Sequence, residues 1–314
     1  MTLASNKLRP LVTIIIPTFK NVTLLRKAIN SVLVQSYTNW ELLIVDNFSK
    51  DGTEELVSKF QHQNINKIIR FYKVANNGII ARSRNLGINN ARGHWIAFLD
   101  SDDWWEPDKL KISLEEAEYH NADLIYHDLF VASQNSRSIC KKKLRSHSIN
   151  KPIFTNLLSN GNVIFNSSVV VKRSILNKIN NLDESEKKVT WEDYDCWLRT
   201  SLITDKFHYI SRPLGWYWIG SGNTSNPSRT ITNLLEIFDI YIKNTFEAKP
   251  FWFLYSMGSN FLKLRFYRDA LKYFNEVKVS KVSGIFLIKF IFRYHHAWIG
   301  SKLSKLTYKN SKIE

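Results

Sequence analysis

A chain of 314 residues, 44% hydrophobic, carries apolar material for one large core and a smaller annex rather than for several independent domains. Its two cysteines, Cys140 and Cys196, exclude a disulfide framework and lack zinc-ligand spacing, so a reducing, cytoplasmic setting is expected. A formal net charge of +16 admits nucleic acid, an anionic membrane surface or a phosphorylated substrate as partner, yet no zinc finger, RRM aromatic signature or arginine-rich arm is present, and nucleic acid is set aside.

In chain order, the start MTLASNKLRPLVTIIIP lacks the layout of a signal peptide, because its apolar run is too short and ends in Pro17. That run, LVTIII (11–16), reads as a strand buried on both faces. Leu25, Ile29, Val32 and Leu33 recur at helical spacing over 22–34. ELLIV (41–45) predicts a strand, Asp51-Gly52 a turn, TEELVSKF (53–60) a helix, IIRFY (68–72) a strand and IIARSRNLGINNA (79–91) a helix. WIAFL (95–99) is the next strand, and KLKISLEEAEYH the next helix. ADLIYHDLFV (122–131) and VIFNSSVVVK (163–172) are strand-like, with the polar, basic stretch 133–150 between them expected to be a mobile excursion. WEDYDCWLRTSLI (191–203) reads as a helix with Trp191, Trp197, Leu198 and Leu202 packing inward, and YISRPLGWYWIG (209–220) as a strand pair or hairpin. Beyond about residue 230 the pattern turns helical and basic, which predicts a main domain over 1–230 and a helical C-terminal region over 231–314. The most apolar segment, IFLIKFIF (285–292), is interrupted by Lys289 and followed by Arg293, well short of a spanning helix, so none is expected.

Strands alternating with helices through short polar links predict βαβ units: an α/β, Rossmann-like, mostly parallel sheet with helices on both faces. In such sheets the ligand lies beyond the carboxyl ends of the strands. Three polar clusters sit there: Thr18-Phe19-Lys20-Asn21, Asp46-Asn47-Phe48-Ser49, and Asp100 to Asp103.

The last cluster is the most informative. Asp100, Asp102 and Asp103 repel one another unless a cation neutralises them, and hard divalent ions such as Mg²⁺ and Mn²⁺ combine one or two carboxylates with substrate phosphates. A helix N-terminus is the competing reading, with Asp103 as cap near Pro107 and Asp108 complementing the dipole, but it leaves part of the acid unexplained. Arg82 and Arg84, close before the aspartate-bearing strand, are either solvated on a helix surface or forks for phosphate oxygens. Neither Gly-x-Gly-x-x-Gly after the first strand nor Gly-x-x-x-x-Gly-Lys-Ser/Thr occurs, which argues against the usual dinucleotide and P-loop modes.

Taken in order, IIIPTFKN, LLIVDNFSKDGT, NNGIIARSRNLGINNARGHWIAFLDSDDWWEPDKL and WEDYDCWLR resemble the bacterial glycosyltransferases of family 2, which have the GT-A fold. The resemblance covers roughly residues 11–220 and implies transfer of a sugar, with inversion, from a nucleotide-diphosphate donor to an acceptor hydroxyl. It implies that Pro17, Thr18, Phe19 and Asp46 line the nucleoside pocket and that Asp100-Ser101-Asp102 is the Asp-x-Asp motif, Asp102 ligating the metal and Asp100 lying nearer the ribose. The late Glu-Asp motif falls on Glu192-Asp193, with Asp193 as base and Glu192 in reserve. Many members carry a second aspartate where Asn47 stands here; its amide oxygen still accepts a hydrogen bond but the charge is gone, so the resemblance favours a UDP-sugar while dTDP or another nucleotide stays open.

Without the resemblance, Glu192-Asp193 reads equally as first-turn acids complementing a helix dipole. Asp195, two positions on, is expected on the helix surface or toward the acceptor, and Trp191 with Trp216-Tyr217-Trp218 either stacks on sugars or fills the core. In the tail, Lys289, Arg293 and His296 follow i, i+4, i+7 spacing and predict one basic stripe on an apolar helix over 282–300, suited to peripheral docking on anionic headgroups at the cytoplasmic membrane face or simply solvated. The resemblance further implies a glycan or lipid-linked glycan of the cell surface as the acceptor. A sugar-nucleotide or glycan-binding module without activity is the alternative.

Overall fold

The computed structural model describes residues 9–310 apart from 134–141, 189, 221–225 and 282–283. Two compact units emerge, Met1–Phe154 with Asn162–Ser221, and Thr155–Gly161 with Gly222–Glu314.

The first unit is built on β1 (Val12–Thr18), α1 (Val22–Leu33), β2 (Trp40–Asp46), α2 (Thr53–Gln63), β3 (Ile68–Lys73), α3 (Ile80–Asn90) and β4 (Trp95–Phe98). These strands pair in parallel in the order β3-β2-β1-β4, as the alternation of elements demands. Val12, Ile14 and Ile16 point into one core with Leu25 and Ile29 of α1 and Leu56 and Phe60 of α2. The residues between them face α3, whose Gly87 passes so close that an added Cβ would lie 2.6 Å from Ile15 Cγ2. Both faces are therefore covered, which is why β1 and β2 are buried at every position.

The remainder is β5 (Trp104–Trp105), α4 (Lys109–Tyr119), β6 (Leu124–Ala132), β7 (Lys143–Leu144), β8 (Val170–Lys172), α6 (Arg173–Lys178), α7 (Glu192–Ser201) and β9 (Phe207–Trp218), while α5 (Ile153–Asn160), between β7 and β8 in sequence, belongs almost wholly to the second unit. The sheet continues β4-β8-β6-β9-β5, with β8 antiparallel to both β4 and β6, β9 parallel to β6, and β5 antiparallel to β9.

Several expectations are corrected. The stretch 209–220 is no hairpin: β9 is one continuous strand whose Pro213 sits at a register shift opposite Asp128. Its Gly215 admits β5, since a Cβ there would lie 3.0 Å from the Trp104 carbonyl. Within 163–172, Asn166–Ser168 forms a 3₁₀ turn and only Val170–Lys172 is strand, because three successive polar residues cannot alternate between apolar faces. Part of 133–150 is ordered against the sheet, Leu144 pairing with Leu129, while 134–141, including Cys140, lies outside the described residues. Leu202 ends α7 and is exposed, whereas Trp191, Trp197 and Leu198 are buried.

In the second unit, α8 (Pro227–Ile237) runs through a π-helical turn at Phe238–Ile242 into α9 (Lys243–Thr245), followed by α10 (Phe251–Lys263), α11 (Tyr267–Asn275) and α12 (Gly284–Asn310). Phe253, Met257, Phe274, Phe290 and Ala297 are its buried centre, and Gly258 lets the Phe274 ring lie directly on α10. The expected basic stripe is split: Lys289 and His296 are exposed, but the Arg293 guanidinium is half-buried, 5.0 Å above the Tyr255 ring. The outward face of α12 is apolar instead, with Ile285, Ile288, Phe292, Ile299 and Leu303 exposed. Among the described residues no helix is long and apolar enough to cross a membrane.

Candidate active site

The carboxyl ends of β1, β2 and β4 carry the sequence-predicted residues. Pro17 and Thr18 close β1 and are buried, Phe19 follows them half exposed, and Thr18 Oγ1 is buried without a hydrogen-bond partner among the described residues. Asp46 closes β2, fully buried, and accepts hydrogen bonds from the Ser49 backbone N–H (2.9 Å) and hydroxyl (2.5 Å). Asn47 donates its N–H to the Thr18 carbonyl and accepts through Oδ1 from the Asn76 N–H at 3.0 Å, so it ties three loops together. Asp51, unremarked beyond its turn, accepts from the Val22 N–H at 3.0 Å and joins the start of α1 to the start of α2.

Beyond β4 the chain turns at once, the Asp103 N–H donating to the Asp100 carbonyl. Asp103 is not a helix cap: it is buried and accepts from the Trp218 N–H at 2.9 Å, which fixes the turn to the end of β9. Asp108 occupies the N-cap position of α4 and accepts from the Ser36 hydroxyl. Ser101 and Asp102 at the apex of the turn are half-buried.

Arg82 and Arg84 part company. Arg82 is partly exposed, its Nε 3.8 Å from Glu184. Arg84 is buried, and its fork joins two acids that lie 92 positions apart in sequence, Nη2 donating to Asp100 Oδ1 at 2.8 Å and Nη1 to Glu192 Oε1 at 2.6 Å. Burial by itself would lower the Arg84 pKa, but Asp100 and then Glu192 outweigh it and raise it, so the guanidinium is held charged. Asp100 also accepts from Asn166 Nδ2 at 3.0 Å, and its N–H donates to Ser167 Oγ. Asn166 and Ser167 escaped the sequence reading. The signal was the Asn-Ser-Ser triplet inside an otherwise apolar run.

Glu192 and Asp193 begin α7. Glu192 Oε2 is buried without a partner among the described residues. Asp193 accepts from the Tyr194 N–H at 2.7 Å and from Asn162 Nδ2 at 3.2 Å. Burial, then the charge of Glu192, raise its pKa to about 7 against the opposing pull of Arg84. Asp195, expected toward surface or acceptor, is instead fully buried between Lys188 Nζ and Arg199 Nε, both at 2.7 Å. A helix turns by about 100° per residue, so Asp195 lies well round from Asp193 and faces the core.

The aromatic residues also separate. Trp191 is core. Trp216 stacks on Trp104 with centroids 5.8 Å apart, and Lys27 Nζ lies 3.1 Å above the Trp104 ring. Tyr217, between Trp216 and Trp218 on β9, takes the opposite face of the strand. Burial and the charges of Asp103, Asp100 and Asp102 push its hydroxyl up to about 12, so it stays a neutral hydroxyl beside the acids.

The acidic turn fits a hard cation. Burial and the neighbouring Asp100 push Asp102 up to about 6, and burial with both neighbours pushes Asp103 well above the usual carboxylate range. Carboxylates that destabilise one another's ionised forms are relieved by a divalent ion, and oxygen-only donors select Mg²⁺ or Mn²⁺ over softer metals.

Known proteins resemble this chain in sequence and in fold. The chain is 34% identical over 198 residues to the UDP-Glc:alpha-D-GlcNAc-diphosphoundecaprenol beta-1,3-glucosyltransferase WfgD of Escherichia coli, covering 62% of this chain and 70% of that one. It is 38% identical over 107 residues to the putative teichuronic acid biosynthesis glycosyltransferase TuaG of Bacillus subtilis, 34% of this chain and 42% of that one, so it spans less than half the length of that relative. Among solved structures, residues 1–349 of Staphylococcus aureus TarS in complex with UDP-GlcNAc superpose with a TM-score of 0.57 at 14% identity, covering 96% of this chain and 92% of that one. The mannosyltransferase PcManGT of Pyrobaculum calidifontis, in complex with GDP-Man and Mn²⁺, gives 0.57 at 13% identity, covering 96% and 88%. These likenesses establish the GT-A fold. Residues 13–179, more than half of the sequence, match the profile of glycosyl transferase family 2, and the chain belongs to that family.

Proposed function

We propose that the protein is a metal-dependent, inverting glycosyltransferase that moves a sugar from a nucleotide-diphosphate donor, a UDP-sugar first and a dTDP-sugar second, to a hydroxyl of a glycan or lipid-linked acceptor in surface-polysaccharide assembly. The observation that carries this reading is the Arg84 fork, which holds the Asp-x-Asp turn and the Glu192-Asp193 helix start in one acidic array. An ion-binding end and a base-bearing end are what a single displacement needs side by side.

Pro17, Thr18, Phe19, Asp46 and Asn47 line the nucleoside side, with the unpartnered Thr18 hydroxyl available to the base or ribose. Asp102 and Asp100 hold Mn²⁺ or Mg²⁺. A divalent ion there supplies Lewis-acid stabilisation of the departing diphosphate. Arg84 positions the two carboxylates rather than the phosphates, and Arg82, the more exposed of the pair, is the arginine available to a donor phosphate. Asp193, raised to about 7, accepts the proton of the attacking hydroxyl near neutral pH.

The lipid-linked acceptor is supported by the name of the Escherichia coli relative. Peripheral docking on the inner face of the cytoplasmic membrane is supported by the exposed apolar face of α12 flanked by Lys289 and Lys302, on a chain of net charge +16. A thermal-shift panel of nucleotide sugars with and without Mn²⁺, followed by transfer assays, tests the whole reading. Asp102→Ala abolishes the metal-dependent shift; Asp193→Ala keeps it and loses transfer. Normal turnover by Asp193→Ala would remove the base assignment, and a wild-type protein that binds donor without ever transferring would make it a binding module.

A further inference from the structure

Among the described residues, a cluster of side chains outside the acidic turn has the composition and spacing of a metal site. Glu116 lies on α4, His120 one turn later at its C-cap, and His208 near the start of β9, 92 positions from Glu116. Glu116 Oε2 is 3.3 Å from His120 Nε2 and 3.1 Å from His208 Nε2. The two imidazoles stack with centroids 3.7 Å apart and 17° between planes, and one ligand atom from each of the three residues falls within 4.8 Å of the others. Two nitrogen donors around a tetrahedral Zn²⁺ stand about 3.4 Å apart. In the observed arrangement both Nε2 atoms lie against the same Glu116 oxygen, and the stacked rings must turn apart for their lone pairs to converge on one ion.

We propose that Glu116, His120 and His208 form a binding site for a borderline divalent cation, Zn²⁺ in the first instance, separate from the Asp-x-Asp turn. The donor set decides the ion. Imidazole nitrogens favour Zn²⁺ and its neighbours in the transition series over Mg²⁺ and Mn²⁺, while the all-carboxylate turn does the reverse. On binding, each ring's proton resides on Nδ1 and Nε2 donates its lone pair to the ion. The side chains of Glu116, His120 and His208 are 37%, 40% and 23% exposed, so the ion enters from solvent and keeps a water in its open position.

The site clips α4 to β9. His208 lies eight residues, about 25 Å of extended chain, before Trp216 beside the acidic turn, so the two ions neither share ligands nor compete. The clip stabilises the folded chain by mass action and takes no part in transfer.

The test uses the full chain stripped of metal with EDTA, titrated with Zn²⁺ by calorimetry and with Co²⁺ followed in the visible. Wild type binds one Zn²⁺ at low micromolar Kd or tighter, Co²⁺ gives the intense d–d bands of a four-coordinate site, and Zn²⁺ at a hundred times Kd raises Tm by about 5–10 °C. His208→Ala, and independently the exposed His120→Gln, weaken Zn²⁺ at least 100-fold, while Asp102→Ala leaves it unchanged and both histidine variants keep the Mn²⁺-dependent donor shift. Wild type with no Zn²⁺ binding below 100 µM, or binding that survives both histidine variants, overturns the proposal. Loss of the Zn²⁺ equivalent in Asp102→Ala alone overturns it too, because the ion would then sit in the acidic turn.

Discussion

Replacing Arg84 by Met tests how the acidic array is held. The side chains of Arg84 and Glu192 are 4% and 7% exposed, so Glu192 loses its countercharge almost without access to water, while Asp100, at 28%, is partly rescued by solvent. Removing one partner of a buried ion pair costs about 3–5 kcal/mol, because a charge is left uncompensated. For a unit of this size each kcal/mol lowers Tm by about 2–4 °C, which gives a fall of roughly 6–20 °C at pH 8. The loss has a pH signature. Arg84 pulls Asp193 down from the level set by burial and Glu192, so without it Asp193 titrates higher in the folded state. An acid whose folded pKa exceeds its unfolded value makes the folded state bind more protons, and stability then grows as pH falls. The deficit of Arg84→Met therefore narrows as pH drops from 8 through about 7, where Asp193 takes its proton in the parent. Adding Glu192→Gln to Arg84→Met recovers part of the stability, since the orphaned charge is gone. Thermal unfolding followed by tryptophan fluorescence between pH 5 and 8 reads all of this. A fall under 2 °C at pH 8, or one constant across the range, refutes the reasoning.

Other outcomes are as definite. The pH profile of kcat/KM rises through about 7 as Asp193 ionises, and in Asp193→Asn the transfer rate drops about 10²–10⁴-fold with little change in donor affinity. Gly93→Ala destabilises by about 1–3 kcal/mol or more in urea titration, because its Cβ would lie 2.5 Å from the Thr13 nitrogen and 2.9 Å from the Leu11 carbonyl, backbone atoms that cannot rotate away. Phe292→Glu with Ile288→Glu removes sedimentation with anionic vesicles while leaving transfer to a water-soluble acceptor intact, since both side chains lie on the exposed apolar face of α12.

Periodicity alone located β1 to β4 and α1 to α4, because strands buried on both faces and helices buried on one leave local patterns of apolar residues. The same locality marks Asp100 to Asp103 as a candidate site: like charges crowded into four consecutive residues need no tertiary knowledge to be recognised as costly. What folding decided is everything that depends on partners far away in sequence. Sequence leaves Arg84 as either a solvated residue or a phosphate fork and Asp195 as surface or acceptor-side, whereas the fold closes Asp100 and Glu192 on the one and Lys188 and Arg199 on the other. Asn166 and Ser167 passed as strand residues, and β9 as a hairpin, because a polar triplet or a proline carries a different meaning once β4, β6 and β5 supply the neighbouring groups. His120 and His208 are unremarkable apart; only the sheet, by setting β9 beside α4, stacks their rings over one carboxylate. A side chain's type is local, whereas its charge state and its use are set by whatever the fold packs against it.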